Sequence, residues 1–281
     1  RRRWSDMTAR TDPRTYLFVP GNRPDRFAKA LASGADAVVL DLEDAVAADA
    51  KDAAREAVRA WVTQVAPADR ARVVVRVNDL GSPHAAADLA AVADTGLPAV
   101  MLPKTESAAD VATVRSAAPG VAVLALVESA RGVAAADEIA GALGVVRLVF
   151  GTLDYALDLD LELEDASDGL SYAADRLAVA SRCARIATPV GGVTPQLGDE
   201  PRLLADLAWS RRHGFGAKLC IHPAQVAPIH AALAPTREAV ERARRVLDAD
   251  AASPGAARLD GRMIDRPVVL AARRTLTRAT H

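Results

Sequence analysis

Short apolar runs recur along the chain, and each is followed by a polar turn and a longer stretch with apolar residues at helical spacing. Short runs bounded by Gly, Pro or charged residues are typical of strands, and apolar residues three or four positions apart are typical of amphipathic helices. Eight runs are predicted to be strands: residues 16–20, 37–40, 73–75, 99–102, 121–127, 145–150, 188–192 and 216–221. The predicted helices span residues 24–33, 50–65, 84–93, 107–117, 130–143, 171–186, 201–213 and 224–250.

Eight alternations of strand and helix predict a (β/α)8 TIM barrel, an α/β fold. An open, doubly wound sheet is the alternative, but no Gly-rich dinucleotide fingerprint follows the first strand. We expect a frayed or disordered N-terminus at 1–13, a barrel domain at 14–250, and a linker and lid segment at 251–281. Because the last segment is too short to fold alone, its predicted helix at 268–278 must dock on its own barrel or on a neighbouring subunit.

The composition narrows the class of protein. With 51% hydrophobic and 25% charged residues, the chain is typical of a folded globular protein. A formal net charge of −1 gives no indication of a nucleic-acid or membrane partner. Cys183 and Cys220 lack metal-ligand spacing, which favours a reducing compartment. No apolar run is long enough to span a bilayer and no signal sequence is present, so we expect a cytoplasmic protein.

Charged and polar side chains stand where the predicted strands end. In a barrel of this kind the carboxyl ends of the strands meet at one rim, and active sites lie there. The side chains expected at this rim are Arg23, Asp41, Glu43, Asp44, Arg76, Asn78, Lys104, Glu128, Asp154 and His222. The convergence of opposite charges on one rim predicts an enzyme.

Glu128 and Asp154 are the candidate metal ligands. They follow the fifth and sixth predicted strands, which a β-α-β unit makes parallel neighbours, so both carboxylates lie at the same sheet edge. Oxygen ligands without Cys or His favour Mg²⁺ or Mn²⁺ over zinc. Two alternatives stay open: each carboxylate pairs with an arginine such as Arg76, or both are solvated loop acids.

Three cations near this rim have two interpretations each. Arg76 either clamps a substrate carboxylate or stabilises an oxyanion, or it pairs with Glu43 or Asp44, and such a pair would also hold the guanidinium in place. Arg23 precedes a predicted helix N-terminus, a place suited to phosphate. Lys104 has the same candidate role or is a solvated cation.

Three further residues have local interpretations. Asp41, at a strand end, is expected to be a buried, hydrogen-bonding acid. His222 is either a base or a histidine at a helix start or in the core. Asp265, taken by itself, is expected to be a helix N-cap.

Several stretches of the chain resemble the citrate lyase β-subunit-like family, within the wider superfamily of HpcH/HpaI aldolases and malyl- and citramalyl-CoA lyases. They occur in the family's order and span residues 15–271. The stretches are YLFVPGNRPDRFAKALASGADAVVLDLEDAV, VVVRVN, MLPKTES, LALVESARG, VFGTLDYALDL and GAKLCIHPAQV. The resemblance implies a barrel enzyme that uses Mg²⁺ to cleave, or in reverse form, a carbon–carbon bond of a 3-hydroxyacyl thioester of malyl, citramalyl or citryl type.

The resemblance also implies roles for particular residues. Glu128 in V-E-S-A and Asp154 in G-T-L-D-Y match the family's metal ligands, and Arg76 in V-R-V-N matches its substrate-binding arginine. The segment DGRMIDRP, at 260–267, is similar to one with which CoA lyases close the site of an adjacent subunit. Asp265 within it matches their catalytic acid/base. A residue that acts on a neighbour implies a closed oligomer, a homotrimer or a hexamer of trimers.

The expected mechanism follows from these roles. The metal binds the carboxylate and hydroxyl of the substrate, Arg76 stabilises charge on the thioester oxygen, and Asp265 protonates the enolate carbon. A metal-bound water or Glu43 takes the hydroxyl proton. Arg23 contacts the CoA phosphates, and Lys104 is a second candidate for that contact. The products are an acyl-CoA and a 2-oxo acid, glyoxylate or pyruvate.

Three other functions remain open at this stage. The chain is alternatively a citrate lyase β-subunit acting on a carrier-bound citryl thioester, a malyl-CoA thioesterase, or a non-catalytic protein that binds CoA or a metabolite. Shorter citrate lyase β-like proteins lack the tail at 260–267, so its presence favours the CoA-thioester lyase.

Overall fold

The structure, a computed structural model, describes residues 12–162, 168–253 and 258–279. Most of the predicted N-terminal segment, residues 1–11, lies outside the described residues, as do 254–257 of the predicted linker. Contacts within the chain divide it into two compact units, which part between Ile229 and His230.

The first unit contains a closed barrel of eight parallel strands in sequence order, which confirms the predicted (β/α)8 architecture. Each strand pairs with the next, and β8 pairs with β1. The strands are β1 Thr15–Pro20, β2 Ala37–Asp41, β3 Val73–Arg76, β4 Ala99–Leu102, β5 Ala122–Val127, β6 Val145–Phe150, β7 Ala187–Gly191 and β8 Ala217–Cys220. These bounds differ from the predicted runs by no more than a few residues.

The interior of the barrel is filled by side chains from alternate strand positions. Tyr16, Val39, Met101, Leu124 and Leu219 belong to this inner cluster and are almost completely buried. The residues between them face the surrounding helices and are also buried, so the strands are apolar on both faces. This double burial explains why continuous apolar runs, rather than alternating ones, identified the strands.

Helices and turns connect the strands of the barrel and form the tail. In chain order the α-helices are α1 Pro24–Ala32, α2 Lys51–Gln64, α3 Pro67–Arg70, α4 Ala85–Thr95, α5 Ala108–Ala117, α6 Ala130–Ala134, α7 Ala136–Gly141, α8 Thr152–Asp158, α9 Asp168–Ala184, α10 Glu200–Arg212, α11 Val226–Leu233, α12 Arg237–Ala252 and α13 Arg266–Ala279. Among the described residues no helix has the length and apolar composition needed to cross a bilayer.

Three helical predictions need correction. The helix predicted at 130–143 is divided at Ala135, which ends α6 and precedes α7. The helix predicted at 224–250 is interrupted between α11 and α12, where Pro235 cannot donate a backbone hydrogen bond and restricts the residue before it. The stretch around Asp154, for which no helix was predicted, forms the short helix α8.

The second unit has a small apolar core of its own. Ala243 and Val246 of α12 pack with Ile264, Val269 and Ala272 of the α13 region. A two-residue antiparallel pair, β9 Arg258–Leu259 and β10 Arg262–Met263, precedes α13. The structure thus groups α12 with α13, whereas the sequence pattern groups α12 with the barrel domain, because an amphipathic pattern does not show which partner a helix packs against.

Candidate functional site

A cavity of about 360 Å³ lies at the carboxyl ends of the barrel strands. Its wall combines charged side chains with an apolar surface. The residues that line it are Phe18, Asp41, Asp44, Ala45, Arg76, Leu126, Glu128, Phe150, Gly151, Thr152, Leu153, Asp154, Val193, Leu219 and Ile221. Five of the candidate residues, Asp41, Asp44, Arg76, Glu128 and Asp154, therefore meet at one cavity, as the strand-end pattern predicts.

Arg76, at the end of β3, is held by acids on neighbouring β2. Its Nε and Nη2 donate to the two oxygens of Asp41 at 2.7 and 2.6 Å, and Asp41 is only 1% exposed. The guanidinium carbon lies 4.9 Å from the ring centroid of Phe18. Burial disfavours the cation, but the contacts with Asp41 and Glu43 outweigh it and raise the pKa of Arg76 above its ordinary value. Arg76 is thus a fixed cation at the cavity wall.

Glu43 lies between two cations. Its Oε1 accepts a hydrogen bond from Lys104 Nζ at 2.9 Å. Its Oε2 lies 2.7 Å from Nη1 of Arg76, an ion pair in which the hydrogens of Arg76 are not aligned on the oxygen. Burial raises the pKa of Glu43, and the charges of Arg76 and Lys104 oppose that rise. Glu43 is not among the described residues that line the cavity, unlike the five other candidate residues.

Glu128 follows β5 and is the most perturbed carboxyl of the site. It is 5% exposed, and its Oε1 accepts the backbone N–H of Lys104 at 2.8 Å. Oε2 lies against Gly151, where any Cβ would collide with it. Burial, together with the negative charges of Glu43 and Asp154, raises the pKa of Glu128 to about 8.

Asp154 reaches the same cavity from the first turn of α8, immediately after β6. It is half-buried. Since β5 and β6 are parallel neighbours, Glu128 and Asp154 stand at adjacent strand ends. The negative charge of Asp154 contributes to the raised pKa of Glu128.

The site carries more negative than positive charge. Among the described residues in or beside the cavity are five carboxylates and two cations, Arg76 and Lys104, which leaves a formal excess of three negative charges. The carboxylates are those of Asp41, Glu43, Asp44, Glu128 and Asp154. No group of three or more His, Cys, Asp or Glu side chains with metal-binding geometry occurs in the described part of the chain. The arrangement therefore offers two carboxylates to a hard cation and leaves other coordination positions to water or a bound molecule.

Other candidate residues have local partners. Arg23 is partly exposed, and its Nε and Nη2 donate to the two oxygens of Asp25 at 2.9 Å each. His222 Nδ1 accepts the N–H of Ala224, so it caps the following turn, the helix-start alternative. In the second unit Asp265 is exposed and its Oδ1 accepts the N–H of Val268 at 3.2 Å, as an N-cap does.

The sequence did not predict the apolar side of the cavity or the close approach of Gly151 to Glu128. Phe18, Val193, Leu219 and Ile221 line the wall, yet in the sequence they look like ordinary barrel residues. Gly151 resembles a simple turn glycine, whereas its missing Cβ makes room for the Glu128 carboxylate. The only indication of this role in the sequence is the position of Gly151 directly after a strand.

A family model described as HpcH/HpaI aldolase/citrate lyase matches residues 14–223. A "Citrate lyase subunit beta-like protein" from Deinococcus radiodurans is 38% identical over 275 residues, covering 94% of this chain and 96% of its own length. A "(3S)-malyl-CoA thioesterase" from Cereibacter sphaeroides is 34% identical over 279 residues, covering 95% of this chain and 94% of its own.

A solved structure is similar throughout the fold. CitE from Mycobacterium tuberculosis, in complex with magnesium, acetoacetate and coenzyme A, has a TM-score of 0.85 and 38% identity, and the match covers 96% of this chain and 98% of that one.

Proposed function

The chain belongs to the HpcH/HpaI aldolase/citrate lyase family, and from this membership we propose that it is a Mg²⁺-dependent carbon–carbon lyase. It cleaves, or in reverse forms, a 3-hydroxyacyl-CoA of malyl-CoA or citramalyl-CoA type, with a 2-oxo acid and an acyl-CoA on the other side. One observation carries the proposal: Glu128 and Asp154, in a site with surplus negative charge, share a cavity with the fixed cation Arg76.

The residues present fit a magnesium ion. Glu128 and Asp154 would hold it, since carboxylate oxygens are the ligands that Mg²⁺ prefers and two of them leave room for water and substrate. A buried carboxyl whose pKa is raised to about 8 gains a stable anionic form once a divalent cation is beside it. A magnesium and coenzyme A complex of the similar M. tuberculosis protein supports the same assignment.

When bound, Mg²⁺ supplies Lewis-acid chemistry that lowers the pKa of the substrate hydroxyl. As the hydroxyl proton passes to a water molecule in the cavity, the carbon–carbon bond breaks and its electron pair moves into the thioester enolate. Arg76, aligned by Asp41 and lining the cavity, stabilises the negative charge on the thioester oxygen. The pairing with Asp41 uses two of its N–H groups and Glu43 lies against Nη1, so the second hydrogen of Nη2 remains for the substrate.

Asp265 is the proposed acid that protonates the enolate carbon, or removes that proton in the synthetic direction. Its position in D-R-P after β10 supports this assignment, because this segment resembles the acid/base segment of the CoA lyases. Glu43 acts on Arg76 and Lys104, its two charged neighbours, rather than on the substrate. Arg23 is the proposed contact for the CoA phosphates, because it precedes the start of α1 and its side chain is partly exposed.

The test supplies malyl-CoA and citramalyl-CoA together with Mg²⁺ and measures release of the 2-oxo acid. Glu128→Gln and Asp154→Asn should each lower kcat/KM by about a hundredfold or more, because a ligand charge is lost. Asp160→Asn is the matched control, since Asp160 is exposed and asparagine tolerates its left-handed backbone. No release of oxo acid from any thioester by the unaltered protein would refute the lyase proposal.

Thioester hydrolysis is the second candidate, favoured by the similarity to the malyl-CoA thioesterase of C. sphaeroides. The products discriminate the two functions. A lyase releases glyoxylate and acetyl-CoA from malyl-CoA, whereas a thioesterase releases malate and free CoA thiol. Detection of the thiol with a chromogenic disulfide, in parallel with detection of the oxo acid, separates them in one assay.

A further inference from the structure

Lys104 has a backbone conformation that is costly for a residue with a side chain. Its φ is +47°, in the left-handed region. It stands directly beyond the end of β4, at the rim of the barrel that holds the cavity. Non-glycine residues persist in this region when surrounding contacts compensate for the strain, and such residues cluster at functional sites.

A backbone hydrogen bond connects this turn to Glu128. The backbone N–H of Lys104 donates to Glu128 Oε1 at 2.8 Å. The next residue, Thr105, fixes the turn on both sides, because its N–H donates to Leu126 O on β5 at 3.0 Å and its hydroxyl donates to Leu102 O on β4 at 2.8 Å. With Oε1 engaged by the amide, the carboxylate is held in one orientation and its Oε2 faces Gly151.

The side chain of Lys104 is connected to Arg76 through Glu43. Its Nζ donates to Glu43 Oε1 at 2.9 Å, and Glu43 Oε2 lies 2.7 Å from Arg76 Nη1. The side chain of Glu43 is 5% exposed and that of Arg76 is 11% exposed, so these charges are little screened by solvent. One residue thus contacts two acids of the site, the candidate metal ligand through its backbone and the partner of Arg76 through its ammonium group.

We propose that Lys104 is the positioning residue of the site: its left-handed amide orients Glu128 for the metal, and its ammonium group holds Glu43 against Arg76. The metal half of this inference rests on the proposed function. The two roles belong to different atoms, so substitutions can separate them. This assignment gives Lys104 a role within the site in place of contact with the phosphates of CoA.

The backbone role is tested by Mg²⁺ affinity, measured by calorimetry without substrate. Lys104→Val carries a β-branched side chain that resists positive φ, so we expect the Kd for Mg²⁺ to rise about tenfold or more. Lys104→Gly adopts the same backbone without strain and should bind Mg²⁺ within about threefold of the unaltered protein. Should the valine variant not fold, Lys104→Ala, with a Cβ but no branch, serves in the same comparison. Equal affinities in the glycine and valine (or alanine) variants would overturn the backbone role.

The charge role is tested by steady-state kinetics. Lys104→Met keeps the length but not the charge, and we expect kcat to fall about tenfold while the Kd for Mg²⁺ stays unchanged, because only the Glu43–Arg76 arrangement loosens. Lys104→Arg should restore most of the lost kcat. A methionine variant with a normal kcat and a raised KM for the CoA thioester would overturn this role in favour of phosphate binding.

These outcomes are distinguishable from failure of the proposed function. If the unaltered protein binds Mg²⁺ but turns over no thioester, the lyase proposal fails while the glycine–valine comparison still decides the backbone role. If it binds no Mg²⁺, the metal assignment and the backbone role are both overturned.

Discussion

At the scale of single residues, the charge state of Glu128 links the stability of the protein to its proposed metal. The carboxyl titrates near an ordinary value of 4.5 when the chain is unfolded and at about 8 when it is folded without metal. Between these two pH values the folded state holds a proton that the unfolded state releases. The free energy of unfolding contributed by this group therefore falls as pH rises from about 4.5 to 8.

Glu128→Gln should remove this pH dependence. At pH 8 without metal we expect the variant to be more stable than the unaltered protein by about 4 kcal/mol, whereas near pH 5 the difference should be below about 1 kcal/mol, since glutamine resembles the protonated acid. Thermal unfolding at the two pH values measures the difference. Added Mg²⁺ should then stabilise only the unaltered protein. A variant that is less stable at both pH values would contradict the pKa assignment.

Arg76→Lys tests whether the geometry of the guanidinium matters beyond its charge. Lysine cannot reproduce the paired hydrogen bonds to Asp41, so we expect kcat/KM for the thioester to fall about a hundredfold. The Kd for Mg²⁺ should change little, because Glu128 and Asp154 remain. Arg59→Lys is the control, since Arg59 makes a surface pair with Glu56. Kinetics like those of the control would show that a positive charge alone suffices.

At the scale of elements, the junction between β6 and α8 is built around a close approach. A Cβ on Gly151 would lie 2.5 Å from the Cβ of Glu128 and collide with its Oε2. Gly151→Ala should displace the carboxylate, weaken Mg²⁺ binding about tenfold, and destabilise the fold by about 1–3 kcal/mol. Gly141→Ala is the matched control, because nothing lies within 4 Å of a Cβ built there. Equal Mg²⁺ affinities in both variants would show that Glu128 relaxes without cost.

The strands of the barrel, and the residues at their ends, could be predicted from the sequence. All eight strands could be predicted, because a barrel strand is buried on both faces and leaves an uninterrupted apolar run. Strand ends then placed Asp41, Arg76, Glu128 and Asp154 at one rim, and one cavity contains all four. The candidate site could be predicted to this extent because topology alone brings strand ends together.

The remaining details depend on conformations that leave no trace in residue type. Nothing about a lysine indicates a φ of +47°, so the turn at Lys104 could not be predicted. The pair β9 and β10 has two residues in each strand, too few for any periodicity. Which acid Arg76 pairs with depended on side-chain packing: Asp41 was expected to be a buried, hydrogen-bonding acid, but not to be the partner of Arg76.

At the scale of the whole molecule, the proposed acid and the proposed metal ligands belong to different compact units. Glu128 and Asp154 are in the barrel unit, and Asp265 is in the unit from 230 onward. We propose that Asp265 serves the barrel of a neighbouring subunit in a homotrimer or a hexamer of trimers. A site assembled from two chains makes activity a property of the oligomer, which subunit mixing can test.

Glu128→Gln and Asp265→Asn should each be inactive alone, the first for lack of a metal ligand and the second for lack of the acid. If the two variants are mixed in equal amounts, unfolded together and refolded, half of the barrels carry an intact Glu128. Half of those receive an intact Asp265 from a neighbour, so about a quarter of normal activity should return. Sites within single chains would always contain one defect, and the mixture would stay inactive. Refolding of the unaltered protein alone calibrates the recovery, and sedimentation of the mixture verifies the oligomer.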